Sequence, residues 1–325
     1  MRKAFKWFAS LSIVFIAVFV YTGTYLDIPR KELEAKYASG TSQFLNLPDG
    51  TRIHYRDEGK FNAPVILLVH GTNGSLLNFE RLVPYLMDNF RLVSLDLPGF
   101  GLTGAIPSKD YSIGKFMDII SEVTNHLGID VFSIAGNSMG GHVAWRYAID
   151  YPDKIENLIL IASGGVRIEE DIAKLEQAKD NSPIVWRLMN SSLIRKILTF
   201  YTPKFFATQG LKTAVFDPDV VTQELASQFH DLALLVGSRE AILSMMRSRH
   251  RIKEPKILSN ITAPTLLIHG EKDNIINVKN SRYFKENITD IEIKIYSSIG
   301  HLPMYEDPKM TANDIKNFIQ KPLTQ

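Results

Sequence analysis

Apolar positions in this chain fall into short unbroken runs separated by stretches of helical spacing. Residues 63–70, 91–95, 131–135, 155–162, 263–269 and 291–296 read as strands. A run as continuous as 63–70 is expected of a strand buried on both faces of a parallel sheet, and 155–162 reads as another buried strand. Ahead of all of them, residues 44–47 and 52–55 flank Pro48-Asp49-Gly50 and read as a hairpin. Helical spacing covers residues 77–87, 113–127 and 142–151, and a closing helix is expected over 309–319. Strand–helix alternation of this kind predicts a doubly wound, mostly parallel sheet with helices on both faces.

Two stretches break the alternation. Between residues 164 and 255 helical patterns carry Trp186, Leu188, Met189, Phe200, Tyr201 and Phe205, with no core strand. An insertion placed between two buried strands predicts a helical lid over the C-terminal sheet edge, where ligands bind in such folds. At the other end, Arg2, Lys3 and Lys6 precede an uncharged run from Trp7 to Leu26, roughly the 20 residues that cross a bilayer core. The basic flank predicts a single-pass N-terminal transmembrane helix with its start in the cytoplasm and the remaining chain across the membrane. The alternative is a signal peptide and secretion, although Thr22-Gly23-Thr24 makes a poor cleavage site. The expected division is an anchor over 1–26, a partly helical linker over 27–42, a core over 43–163, the lid over 164–255 and the rest of the core over 256–325.

Composition mainly excludes. With 325 residues, 45% apolar, 22% charged and a net charge of +2, the chain can bury a sizeable core and makes no case for nucleic acid as a partner. The absence of cysteine rules out disulfides, thiolate metal sites and a thiol nucleophile. No metal or organic cofactor is implied, and oligomeric state is left open.

The chemistry centres on Gly136-Asn-Ser-Met-Gly140, where an apolar run ends and helical spacing begins. Ser138 is therefore expected on a tight strand-to-helix turn. Such a turn strains the serine backbone, and only very small residues at the flanking positions let strand and helix come together. In return the hydroxyl stands clear of the sheet, beside a helix N-terminus suited to an oxyanion. A serine hydroxyl also needs a base, and the base an orienting acid. Of eight histidines, His301 follows the last strand and Gly300 and is the candidate base. His54, His126, His230 and His250 fall in the hairpin, a peripheral helix or the insertion. His142 lies one turn beyond Ser138, His269 is expected in the core, and His70 is expected to support the loop Gly71-Thr-Asn-Gly-Ser75. Asp273, just past a strand, is the candidate acid; Asp96 is its rival, but Leu97-Pro98-Gly99 points to a turn there.

His70-Gly71, Asp96-Leu-Pro-Gly-Phe-Gly101, Gly136-Asn-Ser-Met-Gly-Gly141, Gly270-Glu-Lys-Asp273 and Gly300-His301-Leu-Pro303, in that order, resemble the α/β-hydrolase superfamily. The resemblance spans residues 43–320. It implies the α/β-hydrolase fold, a triad of Ser138, Asp273 and His301, and an oxyanion hole made by the backbone N–H groups of Thr72 and Met139. Asn73 is the fallback donor, standing where such relatives commonly have proline. The elbow looks like that of monoacylglycerol lipases, carboxylesterases and the carbon–carbon hydrolases of aromatic degradation. Those last enzymes usually place a tryptophan after the histidine, and this chain has Leu302. Ser138 excludes haloalkane dehalogenases and epoxide hydrolases, which need an aspartate nucleophile. The implied activity is ester hydrolysis through an acyl-enzyme, on a small-molecule ester or lipid. Carbon–carbon hydrolysis, lactone opening or perhydrolysis on the same triad is the rival, and a non-catalytic ligand-binding member a remoter one. A glycan on the Asn73 sequon would block this site, which favours a bacterial membrane facing the periplasm.

Overall fold

A computed structural model describes residues 20–166, 199–247 and 255–321, with Trp7, Leu11, Ser12, Val14 and Val18 ahead of them. The sheet runs β1 (Ser42–Asn46), β2 (Arg52–Gly59), β4 (Arg91–Leu95), β3 (Val65–Val69), β5 (Phe132–Asn137), β6 (Ile155–Ile161), β7 (Thr265–Gly270) and β8 (Ile291–Tyr296). The hairpin β1–β2 pairs antiparallel and β2 pairs antiparallel with β4; every later pairing is parallel. Within β3, Leu67 and Val69 join one apolar cluster while Ile66 and Leu68 join another on the opposite face. That two-sided burial is why the strand shows no polar alternation.

Helices cover both faces. On one, α3 (Ile113–His126) and α4 (Met139–Asp150) bring Phe116, Ile120, Trp145 and Tyr147 onto Phe132 and Ile134. On the other, α2 (Val83–Leu86), α9 (Pro303–Glu306) and α10 (Pro308–Ile319) bury Leu86, Met304 and Ile315. A further helix, α8 (Ser281–Asn287), joins β7 to β8. The helix expected over 77–87 is broken instead into a single turn, Leu76–Phe79, and α2. Ser75 and Asn78 cap that turn reciprocally, and Pro84, at the start of α2, has no N–H to continue a helix. Strand β2 also outruns its expected end at Tyr55, because Arg91 on β4 holds Asp57 through two bonds of 2.9 and 2.7 Å.

The linker is docked rather than loose. Helix α1 (Arg30–Tyr37) buries Leu33 among Leu76, Leu102, Leu232 and Leu235, with Glu34 paired to Arg52 and Lys36 to Asp231. Between β6 and β7 the described residues form α5 (Lys204–Ala214), α6 (Gln223–Ala233) and α7 (Ser238–Arg247), with no strand of the sheet among them. The rest of the expected lid, residues 167–198 and 248–254, lies outside the described residues, and with it Trp186, Leu188, Met189 and His250.

Among the described residues no helix is long and apolar enough to cross a membrane. Much of the expected anchor lies outside them. Its described members Trp7, Leu11, Val14, Val18, Val20 and Tyr21 are helical and exposed. The run ends against the insertion: Tyr25 N–H donates to Phe200 O (3.2 Å), Thr202 N–H to Gly23 O (2.7 Å), and Arg239 holds both Asp27 and Tyr25 O.

Candidate active site

Ser138 ends β5 and opens α4 with φ 56° and ψ −114°, a region side chains seldom occupy. The turn is held by its own backbone, with Ser138 N–H on Ile161 O (3.0 Å) and Gly164 N–H on Ser138 O (2.8 Å). Its glycines are sterically obligatory. A Cβ on Gly136 would overlap the Gly140 carbonyl, and one on Gly140 would overlap the Val69 carbonyl. Ser138 and Met139 are only half-buried although strand β5 is fully buried, so the hydroxyl emerges from the sheet. Gly71 packs directly on it: a Cβ there would lie 3.0 Å from that of Ser138. The next residue, Thr72, reaches Met139 Sδ at 3.5 Å, so the two expected oxyanion donors are neighbours flanking Ser138. Asn73, the fallback, is exposed at φ 60°.

The acid and histidine follow the ends of β7 and β8. His301 Nδ1–H donates to Asp273 Oδ2 (2.7 Å), which leaves Nε2 with its lone pair. Asp273 is buried and saturated. Its Oδ1 accepts from Ile275 N–H (2.7 Å) and Ile276 N–H (2.8 Å), and its Oδ2 also accepts from His269 Nε2 (3.0 Å). Burial by itself would raise this carboxyl. The hydrogen bonds from His269 and His301 and from the backbone outweigh it and hold the group well below the usual carboxylate range. A carboxylate fixed in the ionised state beside an imidazole is the arrangement that orients a base and stabilises its protonated form.

The family of the alpha/beta hydrolase fold matches residues 64–308. The chain belongs to that family. Lipase 3 of Moraxella sp. (strain TA144) is 26% identical over 284 residues, covering 84% of this chain and 83% of that protein. A 2-hydroxy-6-oxononadienedioate/2-hydroxy-6-oxononatrienedioate hydrolase of Klebsiella pneumoniae is 27% identical over 296 residues, covering 87% of this chain and 97% of that one. Among solved structures, a bacterial membrane phospholipase A shares the fold with a TM-score of 0.69 at 22% identity, covering 98% of this chain and 97% of the other.

The other described histidines of this α/β-hydrolase have different work. His70, fully buried, donates from Nδ1 to Gly71 O (2.7 Å) and accepts Leu97 N–H at Nε2 (3.0 Å), so it braces the glycine loop as expected. Burial lowers its pKa. His142 stacks on Trp145 at 4.8 Å, and burial, helped by Arg146, lowers its pKa to about 4. A second serine–histidine–aspartate series exists: Ser42 Oγ lies 2.9 Å from His54 Nε2, and His54 Nδ1 lies 2.7 Å from Asp96 Oδ2. It has no glycine elbow, and Arg56 Nε donates to the Ser42 hydroxyl. Asp96 also accepts Leu76 N–H and Leu102 N–H (both 2.7 Å), which makes it the turn-forming residue expected and removes it as partner of His301.

Two supports of the site escape sequence reasoning. His269, expected as plain core, contacts both Asp273 Oδ2 and Ile276 O from Nε2, which must carry the hydrogen, while Ser281 Oγ sits 3.0 Å from Nδ1. Its spacing four residues before Asp273, across a strand end, is the one signal available. Asn137, next to Ser138, donates to Ile161 O (3.1 Å) and His301 O (3.2 Å), tying the elbow to the histidine loop. No local pattern marks it.

Proposed function

We propose that this α/β-hydrolase cleaves carboxylic esters through an acyl-enzyme. The reading is carried by one observation: a strained serine elbow, tied through Asn137 to the loop of a histidine whose Nδ1 is bonded to a saturated, ionised aspartate. Ser138 attacks the ester carbonyl while His301 Nε2 takes its proton and passes it to the leaving alcohol. Asp273 stabilises the imidazolium, and the N–H groups of Thr72 and Met139 receive the oxyanion at the positive end of α4. Water then releases the acid by the same route reversed. Relatives named as lipases support an acyl substrate. We take the insertion, whose described helices are α5 to α7, as the lid. Carbon–carbon hydrolysis is the rival because relatives with that activity exist; Leu302 stands where such enzymes usually have tryptophan. A panel of nitrophenyl esters, monoacylglycerols, lactones and ring-cleavage dienones decides between them. Turnover of the dienones above all esters would overturn the ester assignment.

We further propose that residues 7–26 anchor the enzyme in a bacterial inner membrane with the hydrolase facing the periplasm. Trp7, Leu11, Val14, Val18 and Tyr21 recur at spacings of three and four and are exposed, as are Leu26, Phe200, Phe205 and Phe206 where the run meets the insertion. Full-length protein is expected in the membrane pellet after carbonate extraction. A soluble mature chain beginning near Tyr25 would replace the anchor with a signal peptide.

A further inference from the structure

The peptide groups around His301 are held from three directions. The His301 N–H donates to Ala214 O (2.6 Å) at the end of α5, and its carbonyl accepts Asn137 Nδ2 (3.2 Å). The flanking N–H groups converge on one carboxylate: Gly300 N–H on Glu306 Oε1 and Oε2 (2.9 and 3.1 Å), and Leu302 N–H on Oε1 (3.3 Å). The same Oε2 accepts Phe216 N–H (2.7 Å), which belongs to the insertion. The contact is close because residue 300 is glycine. A Cβ there would lie 2.6 Å from Ala214 O and 2.7 Å from Phe216 N.

We propose that Glu306 is a positioning residue through which the helical insertion sets the orientation of His301, an inference that rests on the hydrolase reading above. A carboxylate suits this task because both oxygens are acceptors only, so it takes N–H groups from two segments at once through charge-assisted bonds. The shared Oε2 is the mechanical link: a shift of Phe216 moves the oxygen that also holds Gly300. Asp273 fixes one end of the imidazole, but where Nε2 points depends on the His301 backbone. The insertion therefore reaches the imidazole only through backbone, directly by Ala214 O on the His301 N–H and through Glu306 on the two flanking peptides, and a substrate that displaces the insertion alters proton transfer at Ser138.

The test compares Glu306→Gln and Phe216→Pro in the full chain. Glutamine keeps the shape but turns an NH2 group toward backbone donors. Proline deletes the Phe216 N–H and, with it, an aromatic side chain on a residue that is 47% exposed, so Phe216→Ala, which keeps the N–H, is the side-chain control and should match wild type; Val215 (φ −103°, ψ 157°) already has the extended backbone required before proline. Fluorophosphonate labelling of Ser138 first counts the competent sites, so misfolded protein drops out. Per labelled site, kcat for a nitrophenyl ester should fall about ten- to a hundredfold in Glu306→Gln and less in Phe216→Pro, with KM changed less than about threefold. The rate of labelling should fall in step. Wild-type kcat per labelled site in both variants would overturn the proposal and leave Glu306 a structural residue. If Glu306→Gln yields no labelled protein, Phe216→Pro decides alone. A wild-type chain that fluorophosphonate does not label would sink the hydrolase reading itself.

Discussion

The Ser138 backbone, at φ 56°, stores strain of about 1–3 kcal/mol that its bonds to Ile161 and Gly164 hold in place. Ser138→Ala removes the hydroxyl and leaves those bonds, so ester turnover should fall about a million-fold with an unchanged melting temperature. Near wild-type turnover would move the nucleophile elsewhere, with Ser42 beside His54 the first place to look. Asp273→Asn should cost roughly ten-thousandfold, since the ring remains but the wrong tautomer is favoured. If Asp96→Asn inactivates instead while the protein stays folded, the acid is misassigned. His142 supplies a pH test. Its pKa is held near 4 against an ordinary 6.5, so between those values the unfolded chain binds a proton that the folded chain refuses. Stability present above pH 6.5 should therefore drain away toward pH 4 at up to about 1.4 kcal/mol per unit. His142→Gln should flatten that slope in urea midpoints taken at pH 7 and 5; an equal slope in both proteins would refute it. Ser138, Asp273 and His301 could be picked out as candidates because each stands next to a strand end or a glycine whose need is local. Asn137 and Glu306 were not, because their partners, such as the His301 carbonyl 164 residues from Asn137, become neighbours only in the folded chain.

Strands and helices show the same division. Five of the six runs could be read directly, since burial on both faces leaves a continuous apolar signature, while Ile291–Tyr296, a partly buried edge strand, showed itself by alternation. The stretch 77–87 could not, because apolar spacing there is helical while Ser75, Asn78 and Pro84 interrupt it through caps and a missing donor. In the insertion, amphipathic spacing identifies helices but carries no information about what their faces meet, so the contact of Ala214 and Phe216 with Gly300 was invisible. The elbow offers the sharpest test of packing. Gly140 lies against the Val69 carbonyl, so Gly140→Ala must push α4 away from β3. Expression of that variant should give aggregated protein, or a melting temperature lowered by many degrees. A stable, active Gly140→Ala would mean that strand and helix are not in contact there.

The N-terminal run, the linker and the insertion form one connected region. Arg239 is buried, and its charge is met by the Tyr25 carbonyl, at the end of the expected anchor, and by Asp27, just after it. Cutting the chain at Val20 keeps these partners, whereas cutting it at Lys31 leaves a buried guanidinium without them. The shorter chain should lose on the order of 3 kcal/mol relative to the longer one, read from urea midpoints. Equal midpoints would show that the tie between Asp27 and Arg239 contributes nothing. The tie also means that an anchor would not swing on a flexible leash: the insertion, and the aromatic ridge of Phe200, Phe205 and Phe206, would keep a set attitude to the bilayer.

The order of strands has a consequence for the protein's birth. Ser138 is made early, in the middle strand β5, but Asp273 and His301 follow β7 and β8, which join the sheet edge only after the insertion has emerged. On the triad proposed above, a growing chain would carry its nucleophile without a base, and the hydroxyl would be no more reactive than any serine on a surface. The proposed activity would wait for the last two strands, when Asn137 meets the carbonyl of His301. If the enzyme acts on lipids as proposed, its own order of synthesis would keep it silent until folding is finished.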